Sequence, residues 1–265
     1  MAFVHDLPTW LVGFTTVAVF VVGSLLGLAA SRRLSRRRGL HALVDNGVIG
    51  WIFSAILGIY AIAIGLMAVA SWGDAAAAAT VASREAAEIA ALYRDMGGYP
   101  EPVRRTLQSA LVRYTRYVID EAWPAHRRGE VPRGGTVMLN DVERVLYAFE
   151  PATDGQRAVH AEALRAFNAL IEARRQRLEA VGYAVPGALW AVIVLGAVVA
   201  IVASFIFSME SFWVHATMTS LLAAMIGLLV FFMLVTDLPY RGASGIGPES
   251  YELVFHDLMQ NPADR

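Results

Sequence analysis

Cysteine is absent from this chain of 265 residues, and so is lysine: all 22 Lys-or-Arg positions are arginine. The first absence excludes disulfides, thiolate metal sites and a cysteine nucleophile. Charge is scarce as well, at 17% of residues, where a soluble domain carries about 25%. The scarcity is local. No Asp, Glu or Arg occurs between Leu7 and Ser31, between Asn46 and Gly73, between Ala180 and Met209, or between Ser211 and Thr236. Each stretch holds the roughly 20 apolar residues that cross a hydrocarbon core of about 30 Å. Lipid offers backbone groups no hydrogen-bond partner, so helices are the form these stretches take.

The reading is therefore an all-α integral membrane protein with four transmembrane helices, near residues 8–30, 47–72, 184–207 and 216–236. Residues 1–72 are expected to form a first hairpin and 183–236 a second. Between them, residues 73–182 form a helical extramembrane domain, and 237–265 a turn-rich tail with a short amphipathic helix. The first apolar stretch has no basic region ahead of it and no small-residue cleavage site behind it, so it is read as a retained helix.

Five arginines, Arg32, Arg33, Arg36, Arg37 and Arg38, follow the first span, and Asp6 precedes it. By the positive-inside bias the loop between helices one and two is cytoplasmic, in a multi-pass protein of the cell (inner) membrane. The central domain and the termini then lie outside. Arg165, Arg174, Arg175 and Arg177, ahead of the third span, pull the other way. The arginine cluster is read as a topology signal and a contact for anionic lipids, not as a nucleic-acid surface.

The central domain holds 15 Arg and 15 acidic residues and its pattern is helical throughout. Helix two is expected to continue from Asp74 to Met96 and to stop at Gly97 and Gly98. A second helix opens at Pro100 and Pro102 and runs to about Trp123. Residues 124–135, rich in Pro and Gly, read as a loop. Asn140 or Asp141 caps a short helix, and a long one starts near Thr153 and runs into the third span. In the tail, Pro248 and Glu249 open a helix whose apolar stripe is Tyr251, Val254, Phe255, Leu258 and Met259. This helix either docks on the central domain or lies on the bilayer.

No catalytic constellation is visible. Gly242, Gly245 and Gly247 follow no strand, and His160 with Glu162 lacks the cysteines of a zinc deaminase. No H-E-x-x-H or G-x-S-x-G occurs. The chain is read as no enzyme, with no cofactor or metal, and His126 and His160 as surface or helix-face histidines. Uncharged span cores argue against an ion-coupled transporter. The spans do carry small residues at four-residue intervals: Gly23 and Gly27; Gly50, Ser54 and Gly58; Gly196, Ala200, Ser204 and Ser208; Ala223 and Gly227. Such rows allow close helix approach, and four of them exceed the need of one compact bundle, which favours a homo-oligomer.

At helix two the run from Asp45 to Phe53 (DNGVIGWIF), then Leu57 to Ala61 and Val69 to Trp72, resembles the bestrophin-like family of membrane proteins. The likeness continues in Arg84 to Arg94, in Leu111 to Tyr114 and in Trp123-Pro124. It closes in Thr236 to Gly242, with Asp237, Pro239, Arg241 and Gly242 as structural motif residues, and in Pro248 to Glu252. The resemblance implies a distant kinship with bestrophin chloride channels, which are oligomers with four membrane helices per subunit and a pore lined by the second. The matching neck positions are Trp51, Ala55 and Ile59, with Gly58 beside them. The expected neck aromatics are Ala and Ile here, and the bestrophin inter-hairpin domain is cytosolic, opposite to the arginine count.

Two functions follow. One is an oligomeric ion channel of four or more subunits, with helix two on the axis. Arg32 to Arg38 would concentrate anions at one mouth and Glu85 and Glu88 would favour cations at the other, so ion sign stays open with anions slightly favoured. The other is a membrane-anchored helical scaffold or sensor whose extramembrane domain binds a partner.

Overall fold

The computed structural model describes residues 8–38, 45–242 and 245–260, and the regular elements among them are all helical. The α-helices are α1 (Thr9–Arg38), α2 (Asn46–Asp95), α3 (Val103–Tyr117), α4 (Trp123–Arg127), α5 (Gly134–Ala148), α6 (Asp154–Gly182), α7 (Gly187–Ser204), α8 (Phe212–Thr236) and α9 (Glu249–Val254). Among the described residues four helical stretches are long and apolar enough to cross a membrane, and they contain α1, the start of α2, α7 and α8. The chain is an all-helical membrane protein.

Several boundaries differ from the sequence reading. Helix α1 runs on through its arginines to Arg38 instead of stopping near Ala30. Helix α5 starts at Gly134, ahead of the expected cap at Asn140 or Asp141. The two glycines that read as loop are the reason: a Cβ on Gly134 or Gly135 would come within 2.8 Å or 3.2 Å of the Tyr117 or Tyr114 ring. Only a bare backbone can turn there. Helix α3 passes through a π-turn, Val118–Ala122, into α4, so helix continues through Pro124 to Arg127, residues that the sequence reading gave to a loop. Helix α6 does not run into α7. Residues 183–186 are non-helical, and Pro186, with no N–H to continue the ladder, offers its carbonyl to Leu189 N as α7 begins. The expected cap at Thr153 is there, its Oγ1 accepting from Gln156 N at 3.2 Å.

The chain divides into two units, one of residues 1–74 and 184–237, the other of residues 75–183 and 238–265. In the first, α8 packs along α1, and close approach rests on glycine. A Cβ on Gly227 would lie 3.1 Å from Val17 Cα, and one on Gly27 would lie 2.7 Å from the Phe205 ring. Gly196 likewise leaves room for the Tyr60 ring, whose hydroxyl donates to Ile193 O at 3.2 Å. Lipid tails are as apolar as leucine, so such packing and hydrogen bonds, not water exclusion, hold these helices together.

Asn46 exchanges two bonds with Ser208 (2.7 and 2.9 Å) at one end of the unit, and Ser71 meets Thr236 (2.7 Å) at the other. Asp237 closes α8 against the start of α7: its Oδ1 accepts from Val185 N at 2.6 Å and its Oδ2 from Trp190 Nε1 at 3.1 Å. Two charge-assisted bonds are lost in Asp237→Ala, which is expected to cost about 2 kcal/mol. The thermal midpoint of the purified protein checks it, and an unchanged midpoint would remove this structural role.

In the second unit, α2 from Ala75 onward, α3, α5 and α6 enclose a core that includes Ile89, Leu92, Leu107, Leu111, Val142, Leu146, Phe167 and Leu170. The tail belongs to this core. Tyr240 and Tyr251 are buried in it, and Ile246, Val254, Leu258 and Met259 pack against it.

Candidate functional site

Two arrangements stand out, one in each unit. The first is a bare face of α2. Trp51 and Ile59 are 83% and 73% exposed in the single chain, and Ala55 and Gly58 are exposed beside them. The face extends as Val48, Ile52, Ala55, Ile59, Ile62, Leu66 and Val69, at alternating steps of four and three, so one stripe of the helix is apolar and uncovered. Tyr60 and Ile64, on the opposite side, are buried.

The small-residue rows divide the same way. Gly27, Gly196 and Gly227 meet other parts of the chain, whereas a Cβ on Gly50, Gly58 or Gly65 of α2, or on Gly23 of α1, would meet nothing within 4 Å. Of the four spans, α2 is the least covered by its own chain, with 11% of its most apolar window buried against 33% for α8.

The charged candidates fare unevenly. Arg32 is tied down: its Nη2 donates to Met209 O at 2.6 Å and lies 3.3 Å from His215 Nδ1, and its guanidinium sits over the Phe212 ring. Arg33 is exposed. Arg36, Arg37 and Arg38 belong to α1, but their side chains lie outside the described residues. Glu88 is half-buried. Glu85, the other expected mouth carboxylate, does not face solvent. It is fully buried, and both its oxygens are held by a single arginine.

That arginine is Arg177, and the pair centres the second arrangement. Arg177 Nε donates to Glu85 Oε2 at 2.5 Å and Nη2 to Oε1 at 3.2 Å, with both side chains out of solvent. Tyr114 donates its hydroxyl to the same Oε1 at 2.7 Å. On the other side, Arg177 Nη1 meets His126 Nε2 in a short contact. His126 Nδ1 lies 3.0 Å from the Glu130 carbonyl, which can only accept, so Nδ1 carries the ring proton and Nε2 offers Arg177 a lone pair. The guanidinium also lies 5.5 Å from the Trp123 ring centroid and 5.9 Å from that of Tyr251.

Burial, and then the facing Arg177 charge, push the His126 pKa down to about 4. Burial, and then the Glu85 charge, push the Tyr114 and Tyr251 hydroxyls well above 10. The hub is thus one carboxylate, one guanidinium and a neutral imidazole in a low-dielectric core, with four aromatic side chains around them. Almost every polar atom is spent on a neighbour. The Tyr251 hydroxyl is the exception, buried close to the Glu85 charge without a well-formed hydrogen bond.

The tail is part of this hub. Trp123 Nε1 donates to Ile246 O at 2.9 Å and Tyr240 Oη to Ala78 O at 3.1 Å. The Trp123 ring stands 5.8 Å from Tyr240 and 5.1 Å from Tyr251. The closing motif makes the turn that delivers these rings. Pro239 O accepts from Ile246 N at 2.8 Å, and Gly242 has φ 77°, a left-handed conformation that favours glycine.

Segments that look unrelated along the chain meet here, namely those containing Glu85, Tyr114, Trp123, Tyr240 and Tyr251. Sequence reasoning missed Arg177, counted as a topology charge, and the burial of His126, read as a surface or helix-face histidine; both are 1% exposed. His160 sits on a helix, half-buried, with Nδ1 2.7 Å from the Tyr99 hydroxyl.

These features define a helical membrane protein whose apolar helices join a separate helical unit built on a buried ion pair. The chain belongs to the bestrophin-like family: the bestrophin-like domain matches residues 18–251. No curated protein and no solved structure matches it.

Proposed function

We propose that four or more copies of this chain assemble around an axis into an ion channel, with α2 lining the pore. The carrying observation is the uncovered apolar face of α2 with its unfilled glycine row, on the span that its own chain covers least. Repeated around an axis, Trp51, Ala55, Gly58 and Ile59 make a narrow apolar constriction of the kind that gates by dewetting. The family supports the channel class. In this reading α1 with α2, and α7 with α8, are two hairpins, the α1–α2 loop is cytoplasmic, and the other unit lies outside. Withdrawing Glu85 from the mouth removes one of two cation-favouring carboxylates and leaves the arginines, which tilts the channel towards anions.

Protein reconstituted in tight liposomes is expected to conduct, and Trp51→Ala and Ile59→Ala, which widen the constriction without touching the packed side of α2, are expected to change the flux severalfold. A monomer or dimer in mild detergent, with no flux of either sign, would replace the channel with a membrane-anchored scaffold or sensor.

A further inference from the structure

Half of the described arginines in the helical unit meet a carboxylate of the same unit. Arg104, Arg128, Arg144, Arg157, Arg165 and Arg175 each meet a carboxylate. Arg241 meets none among the described residues. Its guanidinium lies against the backbone of Gly129, where a Cβ would collide with its Cζ and Nη2 and lie 2.6 Å from Nε. Gly129 also has φ 77°, so glycine is required there twice over, for the turn and for the guanidinium resting on it. Nε of Arg241 is buried with no hydrogen-bond partner.

A planar fork of five donors, partly out of water and without an acceptor, is an arrangement that calls for one. The surroundings add charge of one sign. Arg127 and Arg133, on either side of the Gly129 turn, are exposed and meet no described carboxylate, while Glu130, the acid of that loop, is engaged by Arg128 at 3.2 Å.

The place matters as much as the charge. Tyr240, next to Arg241, donates to Ala78 O, three residues after the chain enters the helical unit at Ala75. Arg241 is five residues beyond Thr236, the end of the fourth apolar helix, so its Cα lies within about 18 Å of that end even on an extended chain. The headgroup layer adds roughly 5–8 Å beyond each face of the hydrocarbon core, which is within that reach.

We propose that the turn at Gly129 is a seat for the phosphate of an anionic phospholipid, held by the Arg241 guanidinium and flanked by Arg127 and Arg133. A guanidinium presents a planar edge of donors that matches two phosphate oxygens. The seat lies outside the spans and does not depend on what, if anything, passes between subunits.

The test uses full-length protein in mild detergent, delipidated and titrated with phosphatidylglycerol, phosphatidylcholine or inorganic phosphate. Its readouts are the thermal midpoint and the phosphatidylglycerol retained per chain by mass spectrometry. Phosphatidylglycerol is expected to raise the midpoint and phosphatidylcholine to leave it unchanged. Arg241→Gln is expected to lower retention severalfold. The surface pair Arg127→Gln with Arg133→Gln, which leaves the core untouched, should lower it to a smaller degree, and Arg105→Gln, on another face, not at all. Equal retention by all variants overturns the proposal. So does an equal response to phosphatidylcholine, which would mean generic lipid contact, or an equal shift with inorganic phosphate, which would mean a free-anion site.

Discussion

Arg177→Met is expected to lower the stability of the protein by about 3–5 kcal/mol, the cost of leaving one partner of a buried ion pair alone. The reason lies in what remains. Glu85 is fully buried and loses both bonds from the guanidinium, so its charge keeps one donor, the Tyr114 hydroxyl. His126 Nε2 loses its donor at the same time. Methionine fills the volume of the arginine stem, so the loss reports charge and not a cavity.

The double variant Glu85→Leu with Arg177→Met is expected to recover much of that loss, because an apolar pair of similar volume avoids both desolvation penalties. Tyr114→Phe, which leaves the carboxylate with its arginine, should cost only about 1–2 kcal/mol. A thermal midpoint series in detergent reads the order. If Arg177→Met unfolds no earlier than Tyr114→Phe, the hub does not hold this unit.

The spans were legible because apolar length is a local property: twenty residues without a charge state their solvent wherever the rest of the chain goes. The hub was not, because its bonds are long-range. Glu85 and Arg177 are 92 positions apart, and nothing in either neighbourhood points to the other.

A signal for half of it was nevertheless present. On α2 the buried face runs Ala78, Ala82, Ala86, Ile89, Leu92, and Glu85 falls on that face, not opposite it. A lone carboxylate on an otherwise apolar helical stripe is a buried charge awaiting a cation. Reading Glu85 with Glu88 as a ring of like charge ignored that phase. Gly134 and Gly135 misled in the other direction. They signalled a loop by type, while the structure uses them inside a helix because two tyrosine rings lie over them.

The tail stripe was visible as well, but only three-dimensional contact decides between core and bilayer, and Tyr251 sits in the core. The motif segments that contain Glu85, Trp123, Tyr240 and Tyr251 form, in space, one knot that ties the tail to α2, α4 and α6.

His126 gives this knot a pH dependence with a definite sign. Its pKa is about 4 in the folded protein and about 6.5 when unfolded, so the unfolded chain binds the proton more readily. The contribution is therefore present in full above pH 6.5 and is lost as pH falls towards 4, up to about 3 kcal/mol in all. Between pH 7.5 and pH 5 about 2 kcal/mol of that should go, a fall of roughly 4–8 °C in the thermal midpoint of a chain this size.

The structural cause is the tautomer. Nδ1–H is committed to the Glu130 carbonyl, so a second proton can enter only at Nε2, directly against the Arg177 guanidinium. His126→Gln removes the titrating group, and its midpoint should fall less steeply over the same interval, whatever its stability at pH 7.5. Because the two proteins differ at this position alone, the difference between the two slopes isolates His126. Parallel slopes would mean that the imidazole accepts its proton in the folded state, and so that the contact with Arg177 is not maintained.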